Sequence, residues 1–398
     1  MGTVIEQPNG RFALINGRVI LPQELVTGQA VLIEGKKIVA VTERGALGSD
    51  VETIDVGRRY ITPGLIDIHT HGALGYSFNE ATREAFAAIT GEHVRRGVTS
   101  LLVTLVSAPI SELVNCFEFS RGWMSDAPSG TQVLGVHMEG PYFVAEQAGA
   151  NNPNYFRSPD DGSADILLEH ADVLRMLTFA SELPGALALT SRLVNLGIVP
   201  AAGHSSGRDT DVLAAMKLGL RHTVHIWSGQ SSMIRVGPWR KPGLLEATLA
   251  FDGLTSEMIS DNRHLPPTLM KLAYKCLGPD RLAVITDATN GAGLPEGAHF
   301  RMGAMEYEIA DGVGMMLDRS SFAGSVKLLN EMIPVLTQEV GIPLVEAVRM
   351  ATLTPARIIG VADRKGSLEV GNDADIAIYE DDFTAWRTMI GGQWAFAR

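Results

Sequence analysis

The feature of this chain that most constrains its fold is a series of eight short, continuously apolar segments that alternate with segments of helical pattern. Continuous apolar runs of this length are typical of parallel strands buried on both faces. The predicted strands are Ile61–His71, Val98–Ser107, Val133–Glu139, Leu174–Ala180, Ile198–His204, Thr223–Ser228, Leu254–Ser260 and Leu282–Asp287. Acidic starts, basic ends and a following glycine predict helices between them, for example at Asn79–Arg96, Asp209–Leu218 and Pro266–Leu277. Eight such repeats over about 290 residues predict an α/β fold, a (β/α)8 barrel of the TIM type.

The two ends of the chain have a different, β-rich pattern. Between Phe12 and about Ile61, alternating apolar residues are separated by turn signals such as Asn16-Gly17. The same β-rich pattern occurs again at Gly366–Glu380 and Arg387–Ala397, after two predicted closing helices within 320–340 and 343–360. We therefore expect a discontinuous β-sandwich domain formed by residues 1–60 and 359–398, and a barrel domain at 61–358.

Composition excludes several classes of partner. The chain has 33 basic and 45 acidic side chains, a formal charge of −12, whereas nucleic-acid and anionic-membrane binders usually carry the opposite sign. Cys116 and Cys276 are too few for a disulfide framework, which favours a reducing compartment. Residues 1–11 lack the apolar region of a leader peptide, and the longest uncharged apolar stretch, Val98–Ser111, is shorter than the ~20 residues of a membrane span. We expect a soluble, cytoplasmic protein that binds neither nucleic acid nor membrane.

Histidines and carboxylates stand where the apolar runs end. The carboxyl ends of barrel strands meet at one face, which is where barrel enzymes carry their active sites. A lone histidine in an apolar stretch is more often a hydrogen-bonded core residue, but His69 and His71 lie two apart and share one face of a strand. Imidazole and carboxylate are ligands that suit a divalent metal such as zinc. The predicted metal site combines His69, His71, Glu139, His204 and His225.

Asp287 completes this series and has three interpretations. It can be a further metal ligand, or it can exchange protons with a metal-bound water and a leaving amine. It can also simply cap the segment that follows.

At these segments the sequence resembles the amidohydrolase superfamily, and within it the N-acetylglucosamine-6-phosphate deacetylase family. The superfamily resemblance runs from "ITPGLIDIHTHG" at Ile61–Gly72 to the closing "GSLEVGNDAD" at Gly366–Asp375. The narrower resemblance rests on short motifs: Glu139–Pro141, Gly203–Ser206, Ser260–His264, Ile285–Thr289 and Phe322–Ser325. Hydantoinase-like and dihydroorotase-like relatives use a modified lysine at the fourth strand instead.

The resemblance implies roles for the candidate residues. Glu139, His204 and His225 resemble the ligands of the main metal, while His69 and His71 resemble a second-metal pair that some members possess. Asp287 matches the catalytic acid/base. His264 matches a residue that contacts the substrate and polarises the amide carbonyl. The implied cofactor is one or two divalent ions, with zinc expected first and iron or another divalent metal as alternatives.

Three positions matter for substrate binding. Ser228 and Gly229 replace an Asn-Ala pair of the family's phosphate cradle, and Asn151 replaces the histidine of a Lys-Gly-Ala-His phrase. Arg240 matches an arginine that the family takes from a neighbouring subunit, which implies a homodimer or a larger homo-oligomer.

Two nearby groups add open alternatives. Arg235, Arg240 and Lys241 are either phosphate contacts or ordinary surface charges of a loop. Trp227 and Trp239 either stack on a sugar ring or serve packing.

The implied function is metal-dependent hydrolysis of an acetyl group from an N-acetylated amino sugar, a small molecule, with N-acetylglucosamine-6-phosphate as the first candidate. The departures leave two other substrates open: another N-acetyl hexosamine phosphate, or an N-acyl amino acid. A non-catalytic scaffold is the third alternative, but it has no physical need for all six candidate side chains.

Overall fold

A computed structural model describes residues 7–8, 10–126, 128–302 and 305–398, and its centre is an eight-stranded parallel sheet. The strands are β1 (Leu65–Thr70), β2 (Val98–Leu105), β3 (Gln132–Glu139), β4 (Leu174–Phe179), β5 (Val199–Ala202), β6 (His222–Thr223), β7 (Thr255–Ile259) and β8 (Leu282–Ile285). They pair in chain order from β1 to β8. The ends meet where Asp287 N donates to His69 O at 2.9 Å and Thr70 bridges Ala288. The predicted barrel is confirmed.

Helices follow the strands and bury their apolar faces against the sheet. They are α1 (Arg83–Arg95), α2 (Ile110–Asp126), α3 (Ser163–Leu168), α4 (Ala186–Asn195), α5 (Asp209–Lys217), α6 (Leu244–Ala250), α7 (Pro267–Leu277), α8 (Leu329–Pro334), α9 (Leu344–Met350) and α10 (Leu353–Ile358). The end signals act as expected in α7, which begins with a proline in its first turn and ends at Gly278, whose φ is +66°. Helix α8 continues into a π-helical turn at Val335–Glu339.

Two predicted strands differ from those observed. The first predicted strand, Ile61–His71, divides at Gly64: Tyr60–Pro63 pairs with Ile376–Tyr379 of the C-terminal segment, and only β1 belongs to the barrel. A Cβ at Gly64 would lie 2.1 Å from the Thr99 side chain, so the chain needs glycine at this crossing point. The sixth strand is reduced to β6 because the backbone turns to positive φ at His225.

Two further sheets lie outside the barrel, as expected for the discontinuous domain: the first is built from N-terminal strands and the second from strands of both ends. A four-stranded sheet has the order Lys37–Glu43, Gln29–Glu34, Arg11–Ile15, Glu52–Asp55. A six-stranded sheet has the order Gln393–Ala397, Ala385–Ile390, Ile376–Tyr379, Tyr60–Pro63, Arg18–Ile20, Leu25–Thr27. Phe12, Ile61 and Trp394 belong to one shared apolar cluster of these sheets, so residues from both termini build a common core. The domain boundaries stay a prediction, and residues 1–6 and 9 lie outside the described part.

Three small sheets of the described residues were not predicted. The shortest follows β1 and pairs Gly72–Ala73 with Tyr76–Ser77. The strands His299–Met302, Met305–Ala310 and Val313–Met316 form an antiparallel sheet between β8 and α8, which we call the cover sheet. Tyr307 of this sheet donates a hydrogen bond to Ala150 O at 3.0 Å, which ties it to the loop after β3. The strands Ile234–Val236 and Trp239–Lys241 form an exposed hairpin after β6.

Within the described ranges, no helix combines the length and the apolar character that a membrane crossing requires. Both cysteines belong to the described part and are free, and burial raises the pKa of the Cys116 thiol to about 12.

Candidate active site

The predicted ligand residues converge at the carboxyl ends of the barrel strands. His69 lies inside β1 and Glu139 is the last residue of β3. His204, His225 and Asp287 each lie two residues past the end of a strand, with φ of +48°, +24° and +48°. Positive φ is uncommon for residues other than glycine, although histidine and aspartate tolerate it better than most, and it marks a sharp turn of the backbone. The strand ends therefore turn sharply and point these three side chains toward the barrel axis.

Glu139 is the centre of the cluster. Its Oε1 lies 2.9 Å from both His204 Nε2 and His225 Nε2. Burial alone would raise the pKa of Glu139, but the imidazoles of His204, His225 and His69 outweigh burial and hold that pKa well below its usual range. The carboxylate stays ionised, as a metal ligand must be.

His69 and His71 face the same carboxylate from the other side. His69 Nε2 lies 3.5 Å from Glu139 Oε1 and 3.6 Å from Asp287 Oδ1, and His71 Nε2 lies 3.2 Å from Asp287 Oδ1. The two rings are 5.2 Å apart, as expected for residues that share a strand face. His69 Nε2 is buried and has no hydrogen-bond partner among the described residues.

Backbone carbonyls orient two of the rings. His204 Nδ1 donates to Gln147 O at 2.7 Å, and His225 Nδ1 donates to Ser228 O at 3.1 Å. Since each Nδ1 donates to a backbone carbonyl, Nε2 is the ring atom that each histidine turns toward Glu139.

This donor set fits a divalent metal. His69, Glu139 and His225 have ligand atoms within 4.8 Å of one another, and so do His69, His71 and Asp287. Burial lowers the pKa of His69, but the carboxylates of Glu257, Glu139 and Asp287 raise it well above its ordinary value. The cluster therefore attracts positive charge, and a divalent cation would replace the protons that the imidazoles otherwise take up. The two overlapping groups accommodate one ion or two.

A cavity of about 440 Å³ opens directly above these residues. This volume lies within the range of small-molecule sites. His264 is part of the lining, and its Nδ1 lies 2.8 Å from Asp261 Oδ2. The Asp261 carboxylate accepts that hydrogen and also a backbone hydrogen bond from His264 N at 2.9 Å. The ring of His264 is thereby held at the edge of the cavity.

The structure places most of the predicted substrate residues in this cavity. Asn151, Ser228 and Gly229 line it. Asn151 Nδ2 donates to Glu139 Oε2 at 3.4 Å and its Oδ1 accepts from Ser107 N at 3.1 Å, so this residue also braces the central carboxylate.

Arg240 is not brought to this cavity. It lies on the exposed hairpin and its Nη1 donates to Pro238 O at 3.0 Å, and Arg235 of the same hairpin donates to Gly237 O. The two tryptophans are also absent from the described lining. Trp227 packs against the barrel core and Trp239 is 70% exposed, so within this chain the packing alternative describes Trp227 and neither ring lines the cavity.

The turn after the cover sheet supplies lining residues that the sequence analysis missed. Arg319, Ser320, Ser321 and Phe322 face the cavity, and the rings of Phe322 and His264 are 5.0 Å apart. Among the described lining residues, Arg319 is the one arginine or lysine, and it pairs with Glu308. The signal was the short alternation at 305–316, which is typical of strands. Ser320, Ser321 and Phe322 fell in the segment predicted as the first closing helix, 320–340, but that helix begins only at Leu329.

Two buried carboxylates below the site were also missed. Glu257 lies within β7 and accepts from His69 Nδ1 at 2.8 Å. Asp67 in β1 accepts from the Thr286 hydroxyl at 2.6 Å, and burial raises the pKa of Asp67 to about 7. A single carboxylate inside an apolar strand is itself a signal, because a buried charge needs partners.

The other histidines have structural surroundings. His137 contacts Thr178 Oγ1 at 2.8 Å, and burial holds its pKa well below the ordinary value. His222 lies between Thr255 and Glu257. His93 in α1 is fully buried beside Thr70, and burial lowers its pKa to about 3.

The comparisons with known proteins agree with this geometry. The model of the amidohydrolase family matches residues 60–395. This chain belongs to the amidohydrolase family. Two relatives of this amidohydrolase narrow the comparison. The N-acetylglucosamine-6-phosphate deacetylase of Haemophilus influenzae is 31% identical over 387 residues, which cover 96% of this chain and 99% of that protein. The N-acetylgalactosamine-6-phosphate deacetylase of Escherichia coli O157:H7 is 30% identical over 358 residues, 90% of each chain.

Solved structures give the same picture for this amidohydrolase. The N-acetylglucosamine-6-phosphate deacetylase of Pasteurella multocida superposes with a TM-score of 0.91 at 28% identity, over 98% of this chain and 100% of that one. A variant of the Mycobacterium smegmatis enzyme, in complex with N-acetyl-D-glucosamine-6-phosphate, superposes with a TM-score of 0.90 at 28% identity and the same coverage.

Proposed function

We propose that this amidohydrolase removes the acetyl group from N-acetylglucosamine-6-phosphate and releases glucosamine-6-phosphate and acetate. The observation that carries the proposal is the convergence of the ligand cluster, Asp287 and His264 on one cavity of about 440 Å³. Further support comes from relatives that match nearly the whole chain and are named N-acetylglucosamine-6-phosphate deacetylases. An intact cluster of this kind argues against a non-catalytic scaffold.

Glu139, His204 and His225 would hold the main divalent ion, and His69 and His71 would hold a second ion or share the first. Imidazole and carboxylate donors favour zinc, with iron or another divalent metal as the alternative. When bound, such an ion polarises a carbonyl and lowers the pKa of water to about 7.

Asp287 is placed to move protons. Its carboxylate borders the cavity, and although burial raises its pKa, the imidazoles of His71, His69 and His225 hold that pKa below the ordinary value. Ionised Asp287 accepts a proton from the attacking water, and it then delivers that proton to the amide nitrogen as the C–N bond breaks. The immediate products are acetic acid and the free amine, and passage of the acid's proton to the amine gives acetate and an ammonium group, so atoms and charge balance.

His264 also lines the cavity and would contact the substrate there. With Nδ1 held by Asp261, its Nε2 is the ring atom free to reach the ligand. A protonated ring donates to the acetyl oxygen, where charge develops, and a neutral ring accepts from a sugar hydroxyl.

The phosphate end requires positive charge, and two arginines can supply it. Arg319 lies in the cavity lining of this chain, next to the hydroxyls of Ser320 and Ser321. Arg240 would have to enter from a second copy. The planar guanidinium group of either arginine can donate two hydrogen bonds to phosphate oxygens.

We also propose a homodimer or larger oligomer in which the exposed hairpin docks on a second copy. Val236 and Trp239 are 53% and 70% exposed, and such side chains on a protruding hairpin are typical of interface anchors. Sedimentation of the wild type and of Trp239→Ser tests this: an active wild-type monomer would contradict it.

A second candidate substrate is N-acetylgalactosamine-6-phosphate, because a deacetylase of that sugar is as similar to this chain as the glucosamine relatives. A panel of both phosphates, both unphosphorylated sugars and N-acetyl amino acids separates the candidates, with acetate release as the readout. Highest kcat/KM on N-acetylglucosamine-6-phosphate supports the proposal, and preference for an N-acetyl amino acid overturns it.

Metal analysis of the purified protein identifies the ion. A cytoplasmic location is proposed from the two free cysteines and the charge, and fractionation of cells checks it.

A further inference from the structure

Glu257 is a fully buried carboxylate directly beneath the candidate metal centre. It projects from the middle of β7, is 0% exposed, and is not part of the cavity lining. Its Oε2 lies 2.8 Å from His69 Nδ1 and 3.4 Å from His225 N, and its Oε1 lies 3.2 Å from His222 Nε2. Both oxygens are therefore engaged, as an ionised group in a barrel interior requires.

This contact decides which nitrogen of His69 faces the cluster. A carboxylate can only accept, so Nδ1 of His69 carries the hydrogen and donates to Glu257. The opposite nitrogen, Nε2, then faces Glu139 Oε1 and Asp287 Oδ1 at 3.5 and 3.6 Å and is the ring atom available to a cation. That atom is buried and has no hydrogen-bond partner among the described residues, which suits a metal ligand.

Among the four histidines of the cluster, His69 is the one whose Nδ1 donates to a carboxylate. His204 and His225 donate to the neutral backbone oxygens of Gln147 and Ser228. His71 Nδ1 has no hydrogen-bond partner among the described residues. A carboxylate that accepts the Nδ1 hydrogen fixes the ring, and it makes Nε2 a stronger electron-pair donor to a metal than a backbone carbonyl partner does.

We propose that Glu257 is a positioning residue that holds His69 as an Nε2 ligand and thereby sets the affinity for the ion next to His69 and His71. The inference rests on the proposed metal site, and it does not depend on the identity of the substrate. Glu257 touches neither the cavity nor the reacting atoms, so it acts through His69.

His222 provides the matched control, because it holds the same carboxylate from the side away from the cluster. Its ring is 1% exposed, and its Nδ1 contacts Thr255 Oγ1 at 2.8 Å. Glu257→Gln removes the negative charge behind His69, whereas His222→Gln leaves that charge and the contact to His69 in place. If Glu257 only completed a packing network, both variants would lose stability and neither would change metal binding selectively.

The experiment titrates Zn²⁺ into metal-free wild type, Glu257→Gln and His222→Gln, in competition with a chromophoric chelator. Glu257→Gln is expected to weaken the affinity for one ion by about 10- to 100-fold. His222→Gln should stay within about threefold of wild type. The absorption of the Co²⁺-loaded proteins should change for Glu257→Gln and not for His222→Gln. Equal zinc affinities and identical Co²⁺ spectra in all three proteins would overturn the proposal.

A second measurement covers the case in which Glu257→Gln does not fold. Histidine-selective ¹⁵N spectra of the zinc-loaded wild type, with His69 assigned by His69→Asn, should show Nδ1–H and a metal-bound Nε2. A metal-bound Nδ1, or an Nε2–H tautomer, would overturn the inference. Both measurements are independent of acetate release, so a failed substrate panel would reject the proposed substrate and leave this result standing.

Discussion

Replacing Gly229 by alanine should displace the ring of His204, a predicted metal ligand, while leaving His204 itself unchanged. Gly229 has φ +55°, and a Cβ built there would lie 3.0 Å from His204 Nδ1 and 3.3 Å from His204 Cε1. Gly149 is a matched control, because its φ is +57° and its Cβ would lie 3.5 Å from His204 Cε1, an ordinary contact. Both substitutions should lower the free energy of unfolding by about 1–2 kcal/mol, because alanine is unfavourable in the left-handed backbone region. The difference between the two variants therefore isolates the clash with His204.

His204 cannot yield freely to that clash. Its Nδ1 is bonded to Gln147 O at 2.7 Å, its Nε2 lies 2.9 Å from Glu139 Oε1, and its ring stacks on Phe143 with centroids 4.2 Å apart. A shift of a few tenths of an ångström must lengthen one of these contacts. Losing an orienting contact of a ligand typically weakens metal affinity about 10- to 100-fold, or about 1.4–2.8 kcal/mol. We expect that loss for Gly229→Ala, and zinc affinity within about threefold of wild type for Gly149→Ala.

Zinc titration with a competing chelator measures the affinity, and urea unfolding of the metal-free proteins measures the shared backbone cost. Similar losses of unfolding free energy with different zinc affinities are the expected pattern. If Gly149→Ala weakened zinc binding as much as Gly229→Ala, or if neither did, the steric reasoning about His204 would be refuted.

Three further predictions test other parts of the molecule. Asp287→Asn should lower kcat by about 10²- to 10⁴-fold with zinc content near wild type, because the proton carrier is lost and the main ligands stay; near-normal turnover would contradict its acid/base role. Arg319→Ala should reduce kcat/KM for N-acetylglucosamine-6-phosphate about tenfold or more and leave the unphosphorylated sugar unchanged, since a charged hydrogen bond contributes about 1.5–3 kcal/mol; the same selective loss in Arg240→Ala alone would assign the phosphate to a second copy instead. His93 has its pKa lowered to about 3 by burial, so the folded state keeps it neutral while the unfolded state binds a proton below about pH 6.5. Its contribution is complete above pH 6.5 and is lost toward pH 3 at up to about 1.4 kcal/mol per pH unit, so His93→Gln should flatten the fall in urea-unfolding free energy between pH 7 and 5; an unchanged slope would argue against a neutral buried ring.

The strand-end histidines show how far sequence reasoning extends. The order of apolar runs placed His69, His71 and Glu139 at one face of a barrel, because parallel strands share their carboxyl ends and period-two residues share a face. The structure brings the Nε2 atoms of both histidines within 3.5–3.6 Å of the Glu139 carboxylate. What strand periodicity could not predict is the backbone beyond the strands, where His225 turns to φ +24° and shortens β6.

The cover sheet and its turn show the opposite case. Arg319 and Phe322 follow short strands whose pattern is weak, and their place over the cavity depends on packing such as the Tyr307 contact with Ala150. Arg240 shows a further limit, because one chain alone leaves it on an exposed hairpin.

The sequence by itself determined the barrel, the β-rich termini and the residue types of the metal site, since strand periodicity and burial are local and leave a direct record in residue order. Only the tertiary structure decided which nitrogen of His69 faces the cluster, that Glu257 stands behind it from 188 residues away, and that Arg319 rather than Arg240 lines this chain's cavity. These contacts depend on how strands and loops that are distant in sequence pack together. A buried charge pairs with a particular partner only after that packing has excluded water.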